Sequence, residues 1–358
     1  MPAEDEVRRL DRTAALRGPL ADPLAGSDWA AVMTLDAAHA PTICNMEPQF
    51  ADDGVAAFVA RASLGQLDVA EMRAGVAARA KGRARGPELA RVYDVSAAGR
   101  PARVYRPDEA ARAPLLVWLH GGGWTIGDVA AFDRVSRRLA AASGVSVLLL
   151  DYRLAPEHPW PAAVDDAVEA ISWCAAAPAE LAFRPTVVGV GGDSAGGTLA
   201  ALAALRLARE LPGVRPDLLA LCYANTDLAG DYPSRAEKGS GFGLDVSDTE
   251  FFNGQWVADR TWWSAPGVSP LHSRDLGSLP PTIVVTAEHD HLRDEGVAFA
   301  DRLEDEQVEV IRRCEAGLVH NFLMLDEISP AAASAADRFA ADVGDLLRHA
   351  DAARSTTG

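Results

Sequence analysis

Cysteine is scarce in this chain. There are four, at positions 44, 174, 222 and 314, with no Cys-x-x-Cys pair and no paired spacing. A disulfide scaffold and the usual zinc-binding patterns are therefore disfavoured. Cys174 and Cys222 fall in apolar helix and strand patterns, which predicts buried thiols. Basic residues are also short, 34 against 51 acidic, for a formal net charge of −17. That balance argues against nucleic acid or an anionic membrane surface as a partner. No apolar run approaches the roughly 20 residues of a membrane span. The first residues, Met1-Pro2-Ala3-Glu4-Asp5-Glu6, have neither the basic start nor the apolar core of a secretory signal, so a cytoplasmic location is expected. No cofactor and no metal is expected. His289 and His291 alternate around Asp290, but alternation at a strand end is a weak sign of zinc.

Glycine, by contrast, is concentrated in two motifs about seventy residues apart. The apolar run Pro114-Leu115-Leu116-Val117-Trp118-Leu119 leads into His120-Gly121-Gly122-Gly123-Trp124. Three consecutive glycines let the backbone approach a ligand and turn its N–H groups inward. The β-branched run Thr186-Val187-Val188-Gly189-Val190-Gly191 leads into Gly192-Asp193-Ser194-Ala195-Gly196, and a strong helix former follows. A strand, a G-x-S-x-G turn and a helix make a nucleophile elbow. Ser194 is the candidate nucleophile. Gly121, Gly122 and Ala195 are the candidate donors to an oxyanion, because donors must sit where the tetrahedral oxygen develops. His120 lies on the glycine loop, too early in the chain to be the base, and is expected to orient that loop.

The chain order of this machinery is serine, acid, histidine. Pro281-Thr282-Ile283-Val284-Val285-Thr286-Ala287 reads as a strand ending in Glu288-His289-Asp290-His291. Asp290 sits where strand gives way to loop and is the preferred acid, with Glu288 the runner-up. The strand Val308–Cys314 leads into Glu315-Ala316-Gly317-Leu318-Val319-His320. Apart from His349, far along the C-terminal helix, His320 is the only histidine after that strand. It is the candidate base, and Asp290 would fix its tautomer.

These residues, in this order, resemble the hormone-sensitive lipase family of bacterial esterases. The likeness runs over roughly residues 90 to 350. It rests on His120–Trp124, on Asp151-Tyr152-Arg153-Leu154-Ala155-Pro156-Glu157-His158-Pro159-Trp160-Pro161, on the Gly192–Gly197 elbow, and on Leu292-Arg293-Asp294-Glu295-Gly296 and His320. The resemblance implies an α/β-hydrolase fold: a mostly parallel eight-stranded sheet flanked by helices, with a helical cap. It implies the triad Ser194, Asp290 and His320, and by analogy a homodimer. Three positions depart from the family pattern. His291 stands where proline usually follows the acid, Asn321 where glycine often follows the base, and Tyr223-Ala224 where Tyr-Pro is common.

Residues 1–88 are expected to form an N-terminal helical cap segment, and 89–350 the catalytic domain, with a second cap segment at about 228–268. Helices are expected over 4–17, 55–62 and 69–76, and from Ala331 to about Ala350, with Ser355–Gly358 frayed. The stretch His39–Pro48 either lines the substrate pocket or is a surface loop. The second cap segment holds Phe242, Phe251, Phe252, Trp256, Trp262 and Trp263 in a chain with few aromatics. They either pack on the core or wall the substrate pocket. Trp124, Asp193, Tyr223, Phe252, Trp256 and Phe322 are the candidate substrate contacts. Asp151, Arg153 and Glu157 are expected to stiffen their loop.

Hydrolysis of small or short-acyl carboxylic esters through an acyl-Ser194 intermediate is the leading expectation. Amide hydrolysis of a specialised metabolite is the alternative. A ligand-binding protein on a dead hydrolase scaffold is distant, because nucleophile and base are both present.

Overall fold

A single eight-stranded sheet organises the computed structural model, which describes residues 49–60 and 68–357. The strands are β1 (Arg91–Ala97), β2 (Arg100–Arg106), β3 (Arg112–Leu119), β4 (Ser146–Leu150), β5 (Arg184–Asp193), β6 (Leu218–Cys222), β7 (Thr282–His289) and β8 (Val310–Val319). Their spatial order is β1-β2-β4-β3-β5-β6-β7-β8. The β1–β2 and β2–β4 pairs are antiparallel, and every later pair is parallel. This is the α/β-hydrolase sheet the motifs led to.

The central strands are apolar throughout because both faces are covered. In β3, Leu115, Val117 and Leu119 point into one core, while Leu116 and Trp118 point into the other. The first core is closed by α4 (Ala162–Ala175), α5 (Ala195–Glu210) and α8 (Arg293–Asp305). The second is closed by α3 (Asp133–Ser143) and the long α9 (Pro330–Thr357). All parallel strands therefore present their C-terminal ends on one rim, where an open α/β sheet places ligands.

Two helices precede the sheet, α1 (Asp53–Val59) and α2 (Val69–Gly82). Asp68 and Glu71 form a capping box at the start of α2. Asp52 caps α1 and also accepts from Ser329 Oγ and the Ala331 amide, which fixes α1 beside the start of α9. Between β6 and β7 lie α6 (Pro233–Glu237) and α7 (Val246–Trp256). Phe50 meets His289 edge-on and Phe242 stacks on His289, so residues before α1 and before α7 meet over the end of β7.

The expected helix over 4–17, the His39–Pro48 stretch and Cys44 lie outside the described residues. The C-terminus differs from expectation. Helix α9 runs through Ser355 and Thr356 instead of fraying, because Arg354 pairs with Asp217 and both hydroxyls bond back to helix carbonyls. Strand β8 continues to Val319, beyond the expected Cys314, and so delivers His320 directly from its end. Cys174 and Cys222 are buried.

Candidate active site

At the elbow, β5 ends on Asp193 and α5 begins on Ala195, leaving Ser194 alone to turn the chain. Its φ of 52° and ψ of −125° lie in a region that L-residues rarely adopt. The turn is held closed by the Ser194 amide, which donates to the Cys222 carbonyl at 2.9 Å. Glycine is required at 196 by close approach: a Cβ there would sit 1.9 Å from the carbonyl oxygen of Leu119, at the end of β3.

His320 and Asp290 arrive from the neighbouring strand ends. His320 Nε2 lies 2.9 Å from Ser194 Oγ, and His320 Nδ1 lies 2.7 Å from Asp290 Oδ2. The other carboxylate oxygen of Asp290 accepts the Leu292 amide at 2.9 Å. Burial alone would raise the Asp290 pKa. The charge and hydrogen bond of His320, helped by His291 and the Leu292 amide, hold it below the ordinary value. Asp290 is thus an anion built to face an imidazole. Glu288 is occupied elsewhere, accepting the Gly317 amide at 2.7 Å.

The glycine loop requires one correction. The Gly121 amide donates to Asp193 Oδ1 at 3.0 Å, so it is not free to hold an oxyanion. Among the described residues, the amides of Gly122, Gly123 and Ala195 have no protein acceptor. Gly123, at a φ of 57°, lies directly under the Phe252 ring. His120 is sandwiched between Tyr152, at 4.4 Å, and Phe132, at 5.1 Å, and its Nδ1 donates to the Gly121 carbonyl. Burial lowers its pKa to about 4. It is a neutral support for the loop.

The six candidate substrate contacts are all buried, each 5% exposed or less. Trp124 and Trp256 are stacked on each other, 4.2 Å apart and nearly parallel, which buries both rings. Asp193 is bound to Gly121, and burial pushes its pKa up to about 7. Tyr223 packs on His320 at 4.8 Å, and Phe322 packs behind Tyr223 at 5.0 Å. Phe252 presses on Gly123. Of the three residues expected to stiffen the Asp151–Pro161 loop, Arg153 pairs with buried Asp166, and Glu157 pairs with Arg73 of α2. Burial and the nearby Asp128 charge push Asp151 up to about 6. His289 and His291 do not converge: His289 Nε2 faces the Gln49 carbonyl, and His291 Nε2 faces Thr249 Oγ1. Both have lowered pKa values, chiefly through burial.

Residues 116–324 match the family model described as alpha/beta hydrolase fold. The chain belongs to the hormone-sensitive-lipase-like family of α/β hydrolases. It is 40% identical to the carboxylic ester hydrolase LipN of Mycobacterium tuberculosis over 260 residues, 70% of this chain and 69% of the relative. It is 36% identical to an ethyl acetate hydrolase of Pseudomonas putida over 234 residues, 64% of this chain and 73% of the relative. An esterase structure from Pyrobaculum calidifontis superimposes with a TM-score of 0.77 at 33% identity, covering 82% of this chain and 98% of that one. The enzyme class that follows is carboxylic ester hydrolase. Nothing among these relatives supports amide hydrolysis. Among the described residues, no helix is long and apolar enough to cross a membrane.

Proposed function

We propose that the chain hydrolyses small, short-acyl carboxylic esters through an acyl-Ser194 intermediate, with Ser194, His320 and Asp290 as nucleophile, base and acid. The continuous hydrogen-bonded path from Ser194 Oγ through both ring nitrogens of His320 to Asp290 carries this assignment. His320 Nε2 takes the Ser194 proton as Oγ attacks the ester carbonyl, and passes it to the departing alcohol. Water then enters and attacks the acyl carbon, giving its proton to the same nitrogen, which returns it to Ser194 Oγ as the acyl–Oγ bond breaks and the acid leaves. Asp290 holds the Nδ1–H tautomer and stabilises the imidazolium. The oxyanion donors are Gly122, Gly123 and Ala195, whose amides are uncommitted, with Ala195 at the positive end of α5. The segment 228–268 together with α1 and α2 forms the cap, and the meeting of Phe50, His289 and Phe242 joins its parts. That one of the relatives is named an ethyl acetate hydrolase supports a small ester as substrate.

The test is turnover of acetyl, butyryl and octanoyl p-nitrophenyl esters beside N-acetyl aryl amides. Ester turnover should fall with acyl length, exceed amide turnover, and drop by at least about 10⁴-fold in Ser194→Ala. Multiple turnover by Ser194→Ala at the wild-type rate would sink the nucleophile assignment. Amide cleavage faster than ester cleavage would sink the ester preference.

A further inference from the structure

The buried residues of α7 are Thr249, Phe252, Asn253 and Trp256, spaced to form one face of the helix. Each reaches a different support of the catalytic rim. Phe252 lies on Gly123 of the oxyanion loop, and Trp256 stacks on Trp124 at the end of that loop. Asn253 Oδ1 lies 3.4 Å from Asn225 Nδ2, just beyond β6. Thr249 Oγ1 lies 2.8 Å from His291 Nε2, on the residue that follows Asp290.

The link through His291 is directional. Its Nδ1 faces the Leu244 carbonyl at 3.1 Å, and a carbonyl can only accept, so Nδ1 carries the proton. Nε2 is then the acceptor, and the Thr249 hydroxyl donates to it. The His291 carbonyl in turn accepts from Ser234 Oγ at 2.8 Å, and the Ser234 amide donates to Asp294 Oδ2 at 2.8 Å. The loop carrying Asp290 is therefore tied at Ser234, Leu244 and Thr249, all in the segment between β6 and β7. A proline after the acid, usual in the family, offers no side-chain hydrogen bond.

We propose that His291 is a positioning residue that transmits the placement of α7 to Asp290, so that one helix face sets the oxyanion loop and the triad acid in common register. The proposal rests on the assignment of Asp290 and His320 to the triad. Thr249 touches no reacting atom, yet its hydroxyl supports the rate. Losing one such hydrogen bond in a buried network corresponds to about a fivefold change.

The experiment measures kcat, KM and Tm of the full chain with p-nitrophenyl acetate for Thr249→Val, Thr249→Ser, His291→Phe and the Thr249→Val/His291→Phe double variant. Thr249→Val should lower kcat about fivefold and leave KM within about twofold of wild type, and Thr249→Ser should restore kcat. In the His291→Phe background, Thr249→Val should cause no further loss, because the partner is gone. A Thr249→Val variant with lowered Tm but wild-type kcat would reduce the pair to a structural contact and overturn the proposal. Losses that simply multiply in the double variant, or a serine variant as slow as the valine one, would overturn it too. His320→Ala in the same series separates the two assignments. If it still turns over, the triad fails. If it is inactive while Thr249→Val is at full rate, only the positioning role fails.

Discussion

The elbow carrying Ser194 and the loop carrying Asp290 sit on the same rim and meet through His320, but they are held in place by different means. At the elbow, backbone packs on backbone. Gly196 lies against Leu119, and the Ser194 amide is bonded to the Cys222 carbonyl. At the acid loop, side chains do the holding: His291, Asp294 and Arg293 each reach a partner between β6 and β7. An element fixed by sterics fails abruptly when a methyl group is added. An element fixed by several hydrogen bonds loosens by degrees.

The largest test of that contrast is Gly196→Ala. Its Cβ would collide with a backbone oxygen that has no room to move, so the variant should lose about 4–5 kcal/mol of stability or fail to fold. Thermal unfolding of the purified protein decides this. A Tm within a few degrees of wild type would mean that the elbow is softer than the close approach implies. Next in size is the pair His320→Ala and His291→Ala. The first should reduce kcat on the order of 10⁴-fold, and the second about tenfold. Equal losses would give His291 a direct part in the chemistry.

A smaller effect is expected from Asp193, which braces the glycine loop from the elbow side. Burial raises its pKa to about 7 in the folded protein, against about 4 for an ordinary aspartate. The folded state then binds the extra proton. This contribution to stability is complete below about pH 4 and is lost as the pH rises through about 7. Asp193→Asn keeps an oxygen for the Gly121 amide and removes the titration. Its Tm should therefore fall less than that of wild type between pH 5 and 8. Parallel profiles would show that the carboxyl does not titrate in this window. The smallest effect belongs to the half-exposed pair of Arg293 with Glu237. Glu237→Gln should change stability by less than about 1 kcal/mol, a difference for denaturant unfolding to measure. A larger loss would make this pair a main tie of the acid loop.

The same contrast explains what could be found in the sequence. The elbow and the glycine loop were legible because their geometry demands glycine at fixed short spacing, and strands β3, β5 and β7 because burial on both faces leaves continuous apolar runs. Ser194, Asp290 and His320, which the structure brings into one hydrogen-bonded series, were legible as candidates by chain order. The β1–β2 hairpin gave no comparable signal, since its strands carry Arg91, Asp94, Arg100 and Arg103 beside their apolar residues. The commitment of Gly121 to Asp193 was hidden, because their hydrogen bond joins residues 72 positions apart. The aromatic residues of the cap were visible as a cluster, but stacking of Trp256 on Trp124 depends on a partner far along the chain. For His291, the one available signal was its departure from the family's proline. That departure marked the position without revealing Thr249 as its partner.

The end of β8 carries one more consequence. It supplies His320, which lies 126 residues after Ser194. At a synthesis rate of about 5–20 residues per second, a ribosome needs roughly 6–25 s to cover that distance. Throughout that interval the growing chain holds Ser194 without His320, the base proposed for it. On that assignment translation itself acts as the timer, and a chain that stops before its last strand is finished lacks the partner that Ser194 meets at the end of β8.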